Sequence, residues 1–193
     1  MPTTRLLIPV LAFALLAGPA VGLAQDDGTP SSRTQNRSNN TTAEPALGTA
    51  VPYLSPEGSE IGTVAAVGVI DPLDDFVESF TVEDDIRYVA VEVTIAGSDD
   101  AANAETPLQA NASDFDLQTV DGFLYSSTSA SREVSSGDVP DLATIVVDPG
   151  TDVSGLVIFQ VPAEAEIARL FYTPRSGRLI LVADLRDVST GNG

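Results

Sequence analysis

The stretch IRYVAVEVTI, residues 86–95, decides the fold. Apolar β-branched residues recur at every second position, which is the side-chain period of a β-strand and not that of a helix. One face carries Val89, Val91, Val93 and Ile95. The opposite face is mixed and carries Tyr88, Ala90, Glu92 and Thr94. This strand is therefore predicted to pack one side on a core and to keep the other side near water.

Segments on both sides of this strand show related patterns. On the N-terminal side, residues 61–69 form a candidate strand and residues 77–82 a shorter one. One face of the first carries Ile61, Thr63, Ala65, Val67 and Val69, but its pattern is weak because the other face is also small and apolar. On the C-terminal side the predicted strands are 142–147, 153–161, 168–173 and 179–185. Turn sequences separate them, among them Asp148-Pro149-Gly150, where proline presets φ and glycine permits the reversal.

A hairpin is predicted around Asp121-Gly122, because this pair is favoured in a type I′ turn whose two central residues need positive φ. A two-residue loop would place Val120 opposite Phe123 and Thr119 opposite Leu124. In that register the core side of the hairpin carries Phe115, Leu117 and Leu124.

This pattern of about seven to nine short strands, with turns between them and no ordinary amphipathic helix, is typical of a sandwich. We therefore predict an all-β protein, an immunoglobulin-like antiparallel β-sandwich in a single domain. Its predicted divisions are a signal peptide (1–24), a disordered polar linker (25–59), the sandwich (60–185) and a C-terminal tail (186–193).

The first 24 residues have the features of a secretory signal peptide. Arg5 precedes an apolar run at 6–16, and the small residues Gly22 and Ala24 precede a predicted cleavage site before Gln25. The alternative is an uncleaved membrane anchor over residues 6–23, which Pro9, Gly18 and Pro19 disfavour. The following residues are polar and punctuated by proline, so they cannot bury enough apolar area to offset the entropy of ordering. The predicted location is secreted or extracytoplasmic.

Several segments occur in an order that resembles a known family: YVAVEVTI (88–95), the hairpin from Asp114 to Tyr125, Asp148-Pro149-Gly150, GLVIFQVP (155–162) and LFY (170–172). The chain resembles the bacterial domain of unknown function numbered 4352, an immunoglobulin-like domain found on secreted proteins and lipoproteins. The resemblance spans about residues 56–185 and implies a sandwich fold, but no catalytic residues. The chain departs from the family at Ala96-Gly97-Ser98, where an Asn-rich turn is usual.

The composition excludes most catalytic chemistry. The chain contains no histidine and no cysteine, and all nine of its basic residues are arginines. Triads with histidine, cysteine nucleophiles, Schiff-base lysines and typical zinc sites are therefore excluded. A lipoprotein is also excluded, because no cysteine is present to carry the lipid. We expect neither an enzyme nor a cofactor.

The charge balance restricts the partners. Removing Arg5 with the signal peptide leaves 8 arginines against 28 acidic residues, a formal charge of −20. Such a charge repels nucleic acid and anionic lipid and favours cationic partners. The alternative is that the acidic surface serves only solubility.

Acidic residues cluster in three predicted loops. Carboxylates in sandwich loops are potential calcium ligands, and the candidates here are Asp74, Asp75, Asp84, Asp85, Asp99 and Asp100, with Asp71, Glu78 and Glu83 beside them. No Asp-x-Asp-x-Asp-Gly loop occurs, so the alternative is that these are solvated charges that protect strand edges.

Together these observations predict a secreted or cell-envelope-associated, non-catalytic binding domain of unknown specificity. Its predicted partner is a protein or another cell-envelope component, without nucleic acid and without a stable membrane span after signal cleavage. The two longest loops, 96–111 and 126–141, are the candidate recognition elements, unless they are disordered. The alternative function is a structural or accessory extracytoplasmic domain with weak calcium binding in its acidic loops.

Overall fold

The structure is a computed structural model that describes residues 43–55, 58–99, 107–174 and 178–188. The predicted signal peptide and the linker as far as residue 42 lie outside these ranges. The described residues form one short 3₁₀ turn, Ala112–Asp114, and ten strands: β1 (Val51–Leu54), β2 (Glu60–Ile70), β3 (Ile86–Gly97), β4 (Gln109–Ala110), β5 (Phe115–Thr119), β6 (Leu124–Thr128), β7 (Ile145–Val146), β8 (Asp152–Pro162), β9 (Ile167–Tyr172) and β10 (Ile180–Asp184). Within them, no helix has the length and apolar character needed to cross a membrane.

Eight of these strands form a continuous antiparallel arrangement in the order β1-β2-β3-β8-β6-β5-β9-β10, and β4 pairs with β7. β6 joins the two halves, because Tyr125 pairs with Leu117 of β5 whereas Ser127 pairs with Phe159 of β8. Buried side chains from both halves meet in one apolar core, the inner cluster. The predicted all-β antiparallel sandwich is confirmed.

β3 is the central strand of the first half and pairs with both β2 and β8. Its predicted core residues are fully buried: Val89, Val91, Val93 and Ile95. Val91 lies opposite Val157, and Val89 lies opposite Phe159. Full burial of a side chain of this kind contributes about 1.5–3 kcal/mol, so this strand is a major source of the stability of the fold.

β2 departs from its predicted pattern. The face that carries Ile61 does not stay in the core along the strand, because Val64 and Ala66 belong to the inner cluster and Val67 is exposed. A β-bulge between Ala66 and Gly68 shifts the register against β3. Because both faces of this strand carry small apolar residues, its periodicity did not distinguish the buried face.

The predicted linker, 25–59, ends too late. β1 lies within it and pairs with β2. The buried ring of Tyr53 packs edge-to-face on that of Tyr172, with 5.9 Å between ring centroids. A four-residue edge strand that contains a proline has too little alternation to stand out from a polar, proline-rich segment.

The predicted tail, 186–193, begins too early. Val188 packs against the inner cluster, and its N–H donates to the carbonyl of Leu185 at 3.3 Å. The domain therefore continues at least to residue 188.

The outer face of β3 is not near water along its whole length. Tyr88 and Ala90 are buried with Leu156 and Ile158 of β8 in a second apolar group, the outer cluster. The two loops 71–82 and 130–139 supply side chains that cover it. The prediction of a solvated face was wrong because it considered only the strands and not the loops that fold over them.

Residues 77–82 do not form the predicted strand. The N–H of Phe80 donates to the carbonyl of Val77 at 2.8 Å, which closes a turn. The turn stacks the Phe80 ring on that of Phe76 at 4.8 Å, and both rings pack edge-on against Tyr88. Burial against the sheet outweighs the local β-propensity of this segment.

Candidate functional site

Arg87, near the start of β3, holds one end of the sandwich together. Its Nε and Nη2 donate to the two carboxylate oxygens of Asp71 at 2.7 and 3.1 Å. Its other donors reach the carbonyls of Pro162, Ala163 and Ala165 at 2.7–2.9 Å. All five guanidinium N–H groups are thus engaged. The hydrogen bonds to Asp71 raise the pKa of Arg87, and Asp71 is an ion-pair partner within the fold.

A cavity of about 580 Å³ opens beside Arg87. Its apolar walls come from the β5–β6 turn, β9 and the chain after β10, through Val120, Ile167, Leu185 and Val188. Glu164 and Glu166, both exposed, also line it. The volume lies within the range of about 300–1,000 Å³ that is usual for ligand sites.

Residues 120–124, which comprise the turn between β5 and β6 and the first residue of β6, are hereafter the tip. β5 pairs Gln118 with Leu124, so the predicted pairing of Thr119 with Leu124 is wrong by one residue and Leu124 is not in the core. Gly122 has φ +93°, and no residue other than glycine has positive φ in the described ranges. The loop therefore has three residues with glycine at its end instead of the two of a type I′ turn.

The tip exposes apolar side chains. Val120, Phe123 and Leu124 are 57%, 64% and 54% exposed. Isolated apolar residues are common on protein surfaces, but three such residues among five consecutive positions are a feature of interaction sites.

Hydrogen bonds keep the tip in one conformation. The buried Thr119 hydroxyl lies 2.5 Å from Asp121 Oδ1 and 3.2 Å from the carbonyl of Phe123. The N–H of Val120 donates to the carbonyl of Glu166 at 2.8 Å. The tip is thereby tied to the β8–β9 loop and displays its apolar residues on an ordered element.

Arg132 is a buried structural element that the sequence did not reveal. Its side chain is only 3% exposed, although it lies in the Ser-rich loop. It donates to Asp75 at 2.5 Å and to Asp141 at 2.7 Å. The N–H of Val77 also donates to the carbonyl of Ser131 at 3.0 Å. Of the two alternatives for the loop 126–141, the disordered one is wrong, because these contacts hold the loop against the sheet, whereas a recognition role stays a prediction.

The predicted calcium ligands lie in different parts of the domain. Asp75 pairs with Arg132, and Asp74 beside it is exposed. Asp84 and Asp85 occupy the exposed turn before β3, and Asp99 is exposed after the end of that strand. Asp100 lies outside the described residues. Among the residues that the structure does describe, no three acidic groups are gathered closely enough to hold a metal ion. Calcium binding stays a prediction.

A second ion network joins the N-terminal part of the described chain to β9 and β10. Glu44 accepts two hydrogen bonds from Arg169, both at 2.7 Å, and one from Arg186 at 3.0 Å. Hydrogen bonding from Arg169 lowers the pKa of Glu44. Arg186 likewise lowers the pKa of Asp184 to about 2.

Most of the described arginines are therefore engaged in ion pairs inside the domain. Of the five that the structure describes, four form ion pairs with carboxylates of the same domain: Arg87, Arg132, Arg169 and Arg186. Most of the described carboxylates are exposed. The surface field is consequently dominated by negative charge.

Comparison with known proteins identifies the fold. No protein-family model matches the chain, and no curated protein matches it. The structure is similar to that of MPT63, described as a secreted protein from Mycobacterium tuberculosis, with a TM-score of 0.50 and 15% identity over 73% of this chain and 98% of that one. It is also similar to two Bacillus subtilis proteins. For ycdA the TM-score is 0.46, with 20% identity over 72% of this chain and 40% of that one. For yjhA the TM-score is 0.44, with 19% identity over 76% of this chain and 88% of that one.

Proposed function

We propose that this chain is an exported, non-catalytic interaction domain that binds a protein partner at the end of the sandwich formed by the tip and the adjoining cavity. The observation that carries this proposal is the exposure of Val120 and Phe123 on a turn whose conformation hydrogen bonds maintain. An ordered apolar protrusion costs solubility, and a binding partner that covers it accounts for its presence.

The charged side chains are largely engaged in holding the fold, which supports a non-catalytic role. The chain has no histidine, cysteine or lysine, so carboxylates are the main groups left for acid–base work. Asp71, Asp75, Asp184 and Glu44 are each bound by arginine and serve to hold the fold. Two arginines line the cavity: Arg87 has all its donors engaged, and Arg186 is paired with Asp184 and Glu44, so both serve the fold.

Export is proposed from the leader-like sequence at 1–24 and its predicted cleavage before Gln25. We also propose that the chain is a divergent member of the domain family numbered 4352, on the motifs given above. MPT63, whose fold this chain shares, is itself described as a secreted protein.

Site-specific photo-cross-linking on intact cells of the native host tests the proposal. A benzophenone amino acid replaces Phe123 in one strain and Ile145 in another. Ile145 is the matched control, because it is also exposed and apolar but lies on β7. We expect a discrete cross-linked adduct from position 123 and none from position 145, on protein whose N-terminus is Gln25 or close to it.

Two results would contradict the proposal. Adducts from position 145 alone would show that the binding surface lies at β7 and not at the tip. Exported, folded protein without adducts from either position would favour the structural or accessory role instead.

A further inference from the structure

We infer that the partner presents a basic segment to this site: an apolar side chain of the partner enters the cavity beside Val120, and a neighbouring lysine or arginine pairs with Glu164 or Glu166. This inference rests on the proposed function and names the chemistry of the partner at that surface. It follows from the apolar part of the cavity wall, from the full engagement of Arg87 and from the charge around the tip.

The cavity wall is part apolar and part polar, and Arg87 within it has no donor left for an anion. Arg87 donates all five N–H groups to Asp71 and to three backbone carbonyls, so those carbonyls are also satisfied. Arg186, which also lines the cavity, pairs with Asp184 and Glu44. Val120 and Ile167 supply apolar surface between these groups. The apolar part of the wall can therefore contact an aliphatic or aromatic side chain, whereas Arg87 offers no free donor to a carboxylate or phosphate.

The surroundings of the tip are acidic. Asp121, Glu164 and Glu166 are exposed, and none of them takes part in the ion pairs formed by the four engaged arginines. A basic residue beside the partner's apolar side chain would find these carboxylates available. Such charge complementarity orients a partner and accelerates its encounter.

The same charges disfavour two other partners that could cover an apolar tip, a second copy of this chain and an anionic membrane. A second copy of this chain also carries a net charge of −19, so two approaching tips would each meet carboxylates. An anionic membrane would be repelled by the same field. A basic protein segment is the occupant that satisfies both the apolar surface and the charge.

Fluorescence anisotropy with two synthetic peptides tests this inference. One labelled dodecapeptide alternates leucine with lysine, and the other alternates serine with lysine and so carries the same charge. We expect the leucine peptide to bind the exported chain at least about tenfold more tightly, because only it can fill the cavity. Its affinity should fall as salt is added.

Variants locate the contacts. Phe123→Ser and the pair Glu164→Gln/Glu166→Gln are each expected to weaken binding about fivefold or more, since truncated contact residues of this kind carry most of the binding energy. The matched controls are Ile145→Ser and the pair Glu60→Gln/Asp152→Asn. These controls change the same numbers of exposed apolar and acidic side chains on β7 and at the first residues of β2 and β8. They should stay within about twofold of wild type.

Five outcomes overturn the inference. Equal affinity for the two peptides, or equal losses in the control variants, would mean that only diffuse acidity attracts them. Tip-dependent binding to phosphatidylcholine vesicles would identify a lipid surface as the occupant, and tip-dependent dimerisation in ultracentrifugation would identify a second copy. If the cross-link at position 123 persists in Glu164→Gln/Glu166→Gln, the proposed function stands and only the basic partner is refuted.

Discussion

β3 and β8 carry an apolar cluster on each of their two faces, and the clusters are built differently. The inner cluster consists largely of strand residues from both halves of the sandwich, such as Val91, Phe159 and Leu170. The outer cluster joins two positions on each strand to side chains from the loops 71–82 and 130–139. The same two strands are thus covered by a second sheet on one side and by loops on the other.

The second sheet and the loops are held against β3 and β8 by different kinds of interaction. The second half of the sandwich is continuous with the first through the hydrogen bonds of β6. The two loops are joined to each other chiefly by the buried Arg132, by the bridge between Phe76 and Arg132, and by a few backbone hydrogen bonds. Elements of this kind open locally at lower free energy than a sheet does. We therefore expect the inner cluster to determine global unfolding and the outer cluster to open on its own.

The largest effect is expected from a charge placed in the inner cluster. Val91 is fully buried, so Val91→Asp buries an unpaired carboxylate and should prevent folding. The neighbouring substitution Glu92→Gln should change the free energy of unfolding by less than about 0.5 kcal/mol, because Glu92 is partly exposed on the other face. Circular dichroism and urea melts of the two variants measure this. The reverse sensitivities would mean that the burial of β3 is assigned to the wrong face.

Removing an aromatic ring from each cluster compares the two directly. Phe159→Ala should lower the free energy of unfolding by about 3–5 kcal/mol, because the ring is fully buried between the two halves. Phe80→Ala removes a partly buried ring from a loop and should cost about 1–2 kcal/mol. Urea denaturation gives both values. Equal losses would show that the loops are as integral to the cooperative unit as the sheets.

The same difference explains how much the sequence could predict. The inner cluster was predictable, because strict alternation from Val89 to Ile95 is a local signal. The outer cluster has no local signal, since Leu73 and Phe76 lie in a segment without strand periodicity. Its burial depends on contacts with a loop more than 50 residues away, such as the Arg132–Asp75 pair (|i−j| = 57).

The candidate site was only partly predictable for related reasons. The Asp121-Gly122 turn was located correctly, but this pair fits loops of two or three residues. The choice depends on the burial of Thr119, which is a tertiary effect. The acidic cluster at 71–78 suggested calcium ligands, whereas Asp71 and Asp75 bind arginines. One signal was available: in a chain without lysine, each arginine is the natural partner for a partly buried carboxylate.

Arg132→Met should separate local from global stability. Breaking a buried ion pair commonly costs 3–5 kcal/mol, but here Asp75 and Asp141 are 36% and 48% exposed and can be hydrated. We therefore expect a global loss of only about 1–2 kcal/mol. Hydrogen exchange should accelerate at the amides of Val77 and Glu133, which bond across the two loops, while the amides of β3 stay protected. Arg186→Met, which breaks a more exposed pair, is the control and should leave these two amides unchanged. Equal acceleration throughout β3 would contradict independent opening of the loops.

The smallest effects are expected from removing one hydroxyl on each face. Tyr172 is buried in the inner cluster and its hydroxyl donates to the carbonyl of Gln109 at 3.2 Å; Tyr172→Phe should cost about 1 kcal/mol. Tyr88→Phe, in the outer cluster, loses only a 3.4 Å contact with Gln160 and should cost about 0.5 kcal/mol or less.

Stability measured at alkaline pH tests the burial of the Tyr172 hydroxyl directly. Burial, with smaller contributions from Asp114 and Tyr53, raises the pKa of Tyr172 above its ordinary value. The fold therefore favours the neutral phenol. That contribution is fully present below the unfolded-state pKa of about 10 and is lost as the pH rises above it towards the folded-state pKa. In urea melts between about pH 9 and 11, Tyr172→Phe should therefore lose stability less steeply than wild type. An unchanged slope in Tyr172→Phe would mean that the Tyr172 hydroxyl is hydrated in the folded protein. The inner cluster would then be less closed at this position than the packing of Tyr53 and Phe115 around the ring implies.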